Sequence, residues 1–333
     1  MEREGSPTLA PGGSESTGTA NTVTPPPTGT QPAGLRPLLQ KTSRTFALSI
    51  PLLPEPIQTE VATAYLLFRI IDTFEDATRW DAGRRVKALG LFVQMIESED
   101  GHDLRELTAR WLDDPPLDHP GYLELLAATP EVIAWHRRLR PAASEQLRRH
   151  VVRSARGMIE VVRRIDETGV LQLQTLQDLR DYCFVVAGLV GQMLTELFML
   201  QSPSLQAVAA DLRARAVEFG EGLQLVNILK DARTDSAERR VYLPREATQA
   251  EVFSLARADL RRATEYTELM RTNGGDRGLV AFNALNLRLA IGTLRLLRDQ
   301  GPGAKLSRVQ VMGMAAQVMN ALQTGGVLFP EGS

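Results

Sequence analysis

Five long stretches of this chain carry apolar residues three and four apart, the spacing that gives a helix one continuous buried stripe. They cover residues 57–74, 142–165, 176–200, 212–230 and 279–297. Strand-like alternation is almost absent between Gly34 and Gly326, so the pattern predicts an all-α chain. Breakers divide it where helices should end. Pro51, Pro54 and Pro56, the run Asp113-Asp114-Pro115-Pro116, Ser202-Pro203, and Asn273-Gly274-Gly275 are such points. They imply roughly ten helices in a single domain spanning 34–326. Residues 1–33 are rich in Gly, Ser, Thr and Pro and read as a disordered tail. Residues 327–333 read as a short C-terminal tail.

With 333 residues and 43% hydrophobic content, the chain can bury a sizeable core. A net charge of -2 argues against nucleic acid as a partner, because phosphate contacts need a basic excess. Cys183 is the only cysteine, which excludes an intrachain disulfide and a cysteine-built zinc site and suggests a cytoplasmic setting. No run of about twenty uncharged apolar residues is present, so no membrane anchor is expected. The polar, acidic N-terminus does not read as a secretory signal. His102, His119, His136 and His150 lie in polar or loop-like surroundings without ligand spacing and read as surface residues. No nucleophile elbow and no dinucleotide fingerprint is found.

Two acidic clusters inside apolar stretches carry the chemistry. Asp72, Glu75 and Asp76 stand at i, i+3 and i+4 after an apolar run, so three carboxylates share one helix face. Asp231 and Asp235, at i and i+4, follow a second apolar stretch that also holds Gln224 and Asn227. One such cluster is usually a solvated face. Two of them on buried helices suggest a shared cavity, and all-oxygen sites suit Mg²⁺ bridging to substrate phosphates. Arg44, Arg69, Lys230, Arg239 and Arg240 are interleaved with the clusters, as a diphosphate site requires. Gly188 and Gly191, inside a helical pattern, leave two readings open: close helix packing or room for a ligand.

Five ordered segments from Gln40 to Gln310 resemble the squalene and phytoene synthase family. Ser43-Arg44-Thr45-Phe46-Ala47 is similar to its opening substrate motif. Arg69 with Asp72-Thr73-Phe74-Glu75-Asp76 resembles its first aspartate-rich motif, and Tyr182 to Gly191 its central signature. Gln224 to Asp235, then Arg240-Val241-Tyr242-Leu243-Pro244, resembles the second aspartate-rich motif and flap, although Thr234 replaces a family glutamate. Within the family, the first acidic segment and 282–294 are nearer the squalene-forming branch, whereas 240–244 has a phytoene-type spelling.

The resemblance implies an isoprenoid-synthase-type helical bundle around a central apolar cavity. It also implies condensation of two farnesyl diphosphates through presqualene diphosphate, followed by reduction with NADPH. Mg²⁺ would be held by Asp72, Glu75, Asp76, Asp231 and Asp235. Tyr182, Tyr65 and the aspartates among those ligands would be catalytic. Ser43, Arg44, Phe46, Arg69, Gln224, Asn227 and Arg240 would bind substrate. Arg44, Arg69, Lys230, Lys305 and Arg308 would contact NADPH. The alternatives are a phytoene- or dehydrosqualene-forming enzyme that uses no NADPH, and a non-catalytic isoprenoid-binding protein. A monomer of bacterial type is expected, with room for peripheral membrane contact at product release.

Overall fold

The computed structural model describes residues 32–98 and 104–330. His102, the first 31 residues of the expected tail and the last three of the chain lie outside them. Short helices α1 (Leu35–Thr42) and α2 (Phe46–Ser49) lead into α3 (Ile57–Glu75). Next come α4 (Ala82–Glu97), α5 (Leu104–Asp113), α6 (Pro120–Ala127) and α7 (Thr129–Arg137). The rest of the bundle is α8 (Pro141–Val162), α9 (Leu176–Cys183), α10 (Leu189–Gln201), α11 (Ala209–Ala237), α12 (Gln249–Thr272), α13 (Arg277–Gln300) and α14 (Arg308–Thr324). That makes fourteen α-helices among the described residues, more than the breakers alone imply. The excess comes from short helices such as α6 and α7, which Pro120 and Pro130 start almost back to back.

Helix α3 is buried on nearly every side, with Leu66, Leu67, Ile70, Ile71 and Phe74 fully enclosed. It packs against α8, α7, α1 and α4, while α11 lies along α12, α10 and α13. Between α9 and α10 the chain keeps its axis but makes one π-turn, Phe184–Gly188. Such single turns recur at functional sites. The glycine question left open by the sequence resolves toward close packing. A Cβ on Gly191 would sit 1.9 Å from the Ala216 carbonyl oxygen, and one on Gly220 would sit 2.0 Å from that of Ala187. The backbones of α10 and α11 therefore nearly touch.

The only strands among the described residues are β1 (Leu171–Gln172) and β2 (Arg240–Val241), paired in parallel with Leu171 opposite Arg240. This small pair fixes the segment after α11 across the bundle. Beyond the expected boundary at Gly326, Leu328 is fully buried and its carbonyl accepts a bond from Arg288.

Two of the surface histidine expectations fail. His136 and His150 are buried, and each ring is satisfied by a backbone carbonyl, of Ser144 and Gln146 respectively. One such bond lets an imidazole sit neutral in a core, and burial lowers both pKa values. The segments 176–201 and 277–300 are long and apolar enough to cross a membrane, although here 56% and 67% of their apolar windows are buried inside the bundle.

Candidate active site

Both acidic clusters sit at helix C-termini. Asp72 and Glu75 occupy the last turn of α3 and Asp76 caps it, while Asp231 and Asp235 lie in the final two turns of α11. The negative end of the helix dipole makes this a poor place for carboxylates and a good one for cations. Burial aggravates it. Burial, with the Asp76 charge adding and Arg69 opposing, lifts Asp72 to a pKa of about 6. Burial and then Asp76 raise Glu75 well above the ordinary value. Burial also takes Asp235 to about 6 against the pull of Arg240.

Arg240 joins the clusters. Held by the β1–β2 pair, its guanidinium bonds Asp76 and Glu238 and lies 3.7 Å from Asp235. Its own burial opposes the charge, but Asp76, Tyr242 and Glu75 outweigh that and raise its pKa. The Arg240 Nε is buried without a partner. Two residues along the flap, Tyr242 stacks on Tyr182 with ring centroids 4.5 Å apart. Burial, then Glu75, pushes the Tyr182 phenol well above its usual pKa.

Next to the clusters lies a polar cleft of about 500 Å³. Ser43, Arg44, Phe46, Arg69, Asn227 and Lys230 line it. Arg69 is sandwiched between the Tyr65 and Tyr122 rings, at 5.6 and 5.4 Å from their centroids, and reaches Asp72 at 3.4 Å. Burial opposes its charge, but Tyr65, Asp72 and Tyr122 more than compensate. The Tyr65 hydroxyl donates to the Thr42 carbonyl at 2.7 Å, tying α3 to α1, and its ring packs on Phe46. Lys230 pairs with Asp231 at 3.2 Å and donates to Asn227 Oδ1 at 3.0 Å. Below the cleft is an apolar chamber of about 170 Å³, lined by Phe46, Phe68, Val190, Leu194, Phe219, Gln224 and Phe282 among others. Arg69, Leu223 and Asn227 wall both spaces.

Of the seventeen site positions read from the sequence, most converge here. Lys305 and Arg308 do not line the cleft. Both are exposed, Arg308 opens α14, and their loop is tied to the Lys230 carbonyl through the Gly303 amide at 2.9 Å. Asn227 is exposed. Tyr122, His119 and the Tyr242 phenol were not picked out, because nothing in their local pattern marks them. His119 caps α6 and stacks on Tyr122 at 4.1 Å, which brings that ring over Arg69.

Among the described residues, no three carboxylates converge closely enough to chelate a metal unaided. Their chemistry nevertheless fits a hard cation: all-oxygen donors, part-buried at two helix C-termini, with Asp72, Glu75 and Asp235 shifted toward protonation chiefly by desolvation.

An all-helical bundle with facing acidic helix ends over an apolar chamber is the architecture of the isoprenoid synthases. Residues 39–273 match the squalene/phytoene synthase family, and the chain belongs to that family. It is 31% identical over 213 residues to the squalene synthase of Eremothecium gossypii, covering 63% of this chain and 45% of that one. With a squalene synthase of Botryococcus braunii it shares 32% over 215 residues, 63% of this chain and 42% of that one. The chain thus spans less than half the length of these curated relatives. They are eukaryotic, so the expected bacterial type is not supported. Two solved structures share the fold. TcSQS with the ligand BPH1237 superposes with a TM-score of 0.68 at 24% identity, covering 86% of this chain and 85% of that one. A dehydrosqualene synthase does so at 0.57 and 19% identity, covering 88% and 96%.

Proposed function

We propose that this chain is a prenyltransferase that condenses two farnesyl diphosphates head to head, as squalene synthases do. The observation that carries this reading is the pair of part-buried carboxylate clusters facing one another across Arg240, beside a cationic cleft and above an apolar chamber. Asp72, Glu75, Asp76, Asp231 and Asp235 would hold Mg²⁺, which when bound supplies Lewis-acid stabilisation of a departing diphosphate. Arg44 and Arg69 bind diphosphate oxygens, and Tyr65 and Tyr122 keep the Arg69 fork aimed into the cleft. Arg240 is bonded to Asp76, so Asp76 would hold Mg²⁺ with that bond released. Tyr182, stacked on Tyr242, would serve as a proton relay once a diphosphate oxygen accepts from its phenol. The apolar walls exclude water from the allylic cation. At about 170 Å³ the chamber is smaller than a usual ligand pocket of roughly 300–1,000 Å³, so prenyl chains enter as its side chains part.

Squalene is the expected product with NADPH, whose phosphates suit Arg44, Arg69 and Lys230 in the cleft. A second reading, condensation without reduction, is favoured by one observation: Lys305 and Arg308 stand outside that cleft. Incubation with farnesyl diphosphate and Mg²⁺, with and without NADPH, tests both. Squalene formed only with NADPH supports the first reading. Dehydrosqualene in both supports the second, and no consumption of farnesyl diphosphate in either refutes the proposal. The chain is further proposed to act as a cytoplasmic monomer.

A further inference from the structure

A cavity larger than the cleft and the chamber lies away from the candidate active site. It is an open groove of about 1110 Å³ between α12, the C-terminal half of α13 and the chain around Phe329. Its floor is apolar, with Phe253, Leu260, Ile291 and Leu294, and its rim carries Arg257, Arg261, Arg295 and Arg298. Arg298 is paired with Asp299. Arg257, Arg261 and Arg295 have no carboxylate partner among the described residues, whereas the single lining carboxylate, Glu265, already serves Arg215 and Arg262. Burial and the nearby Arg298 charge lower the Arg295 pKa, as expected of a cation short of counter-charge. Arg295 also borders a smaller pocket shared with Gln310, Gly313 and Gln317 of α14. That helix exposes Val309 and Met312, 82% and 53% accessible, and Val327 follows at 69%. Three of the five large hydrophobics exposed among the described residues therefore gather at this C-terminal end.

We infer that this face docks on an anionic phospholipid bilayer, with the unpaired arginines on lipid phosphates and the groove and α14 side chains in the acyl boundary. Solvent-exposed aliphatic side chains gain by leaving water, and guanidiniums without carboxylate partners beside them gain at a lipid surface that carries negative charge. A soluble anion would satisfy the arginines but leave Val309, Met312 and the groove floor wet. A neutral membrane would cover the apolar side chains but leave the charges unanswered. Neither the clusters nor the cleft takes part, so failure here would leave the proposed reaction standing.

Flotation of the full chain decides it, using vesicles of phosphatidylcholine alone and of an equal mixture with phosphatidylglycerol. Binding to the anionic vesicles, weakened by raised salt, is expected. Each arginine neutralised should cost about fivefold, so Arg257→Gln/Arg261→Gln/Arg295→Gln should lose on the order of 100-fold. The corresponding triple lysine variant should keep binding, which separates charge from packing if the glutamine variant is poorly folded. Val309→Ser/Met312→Ser should weaken binding by about tenfold or more. Equal binding to neutral vesicles, displacement by inorganic diphosphate, or retained binding of a folded glutamine variant would overturn the inference. So would a solution dimer broken by those same substitutions, which would assign the face to a second copy.

Discussion

Arg240 answers three carboxylates, Asp76, Glu238 and Asp235, on a side chain only 13% exposed. Removing it leaves part-buried like charges crowded together at two helix ends. Arg240→Ala should therefore cost about 3 kcal/mol of unfolding free energy in metal-free buffer, measured by chemical denaturation, and added Mg²⁺ should recover part of the loss. Asp76→Asn reverses the balance, because it removes one of the crowded charges. It should leave the melting temperature equal or higher without metal while cutting kcat by on the order of 100-fold or more. A variant turning over at the normal rate under saturating Mg²⁺ would end the assignment of that cluster. The carboxylates were legible in the sequence because i, i+3 and i+4 spacing is a local property of a helix. Tyr122 over Arg69 and Tyr242 on Tyr182 were not, since each pair is made by distant segments meeting in space. Buried His136 and His150 escaped for a related reason. A polar-looking neighbourhood in sequence says nothing about which carbonyl the fold brings to the ring.

At the scale of elements, the apolar stripes gave away the long helices, and the breakers marked several of their ends. Helix α14 was harder to see, since only Val318 and Ala321 are buried along it and no continuous stripe forms. The β1–β2 pair is two residues long on each side, too short to alternate, yet it positions Arg240. The α10–α11 contact can be tested directly. Gly191→Ala places a methyl on the Ala216 carbonyl, and since neither backbone can yield locally, stability should fall by about 3 kcal/mol. Helices α9, α11 and α12 are joined by Arg180, which bonds Glu221 at 2.8 Å and Asp259 at 3.1 Å, both carboxylates being buried. Burial, offset by Arg180 and reinforced by Asp259, raises Glu221 to a pKa of about 7. A carboxyl raised on folding favours the native state at low pH, and that contribution is lost as pH climbs through the folded value. Unfolding free energy should thus fall by about 2 kcal/mol between pH 5.5 and 8 on account of this group. Glu221→Gln should flatten most of that slope, and an unchanged slope would place the titration elsewhere.

For the molecule as a whole, the decisive feature is that the cationic cleft and the apolar chamber share walls, Arg69 and Asn227 among them. Under the proposed reaction, one cavity system would serve ionisation, condensation and, with NADPH, reduction, which no single motif in the sequence could reveal. The side chains in that system separate by reach. Arg69 touches Asp72 and borders both spaces, so its loss should impair every step. Lys230 faces the cleft but does not line the chamber, and its backbone carbonyl anchors the loop that leads to Lys305. Its ammonium is accordingly placed to hold a second anionic ligand in the cleft more than the prenyl chain beneath. Lys230→Ala should leave farnesyl diphosphate consumption within about threefold of normal, while the KM for NADPH rises by about tenfold, as expected for the loss of one charge-assisted contact. With squalene formation starved of hydride, the cation of the second ionisation loses a proton or meets water, so unreduced and hydroxylated products should accumulate in its place. Lys305→Ala, outside the cleft, should have the smaller effect on KM. A variant at Lys230 that loses condensation and reduction in equal measure would show that the cleft holds the farnesyl diphosphate head group alone, and the reading without NADPH would then stand.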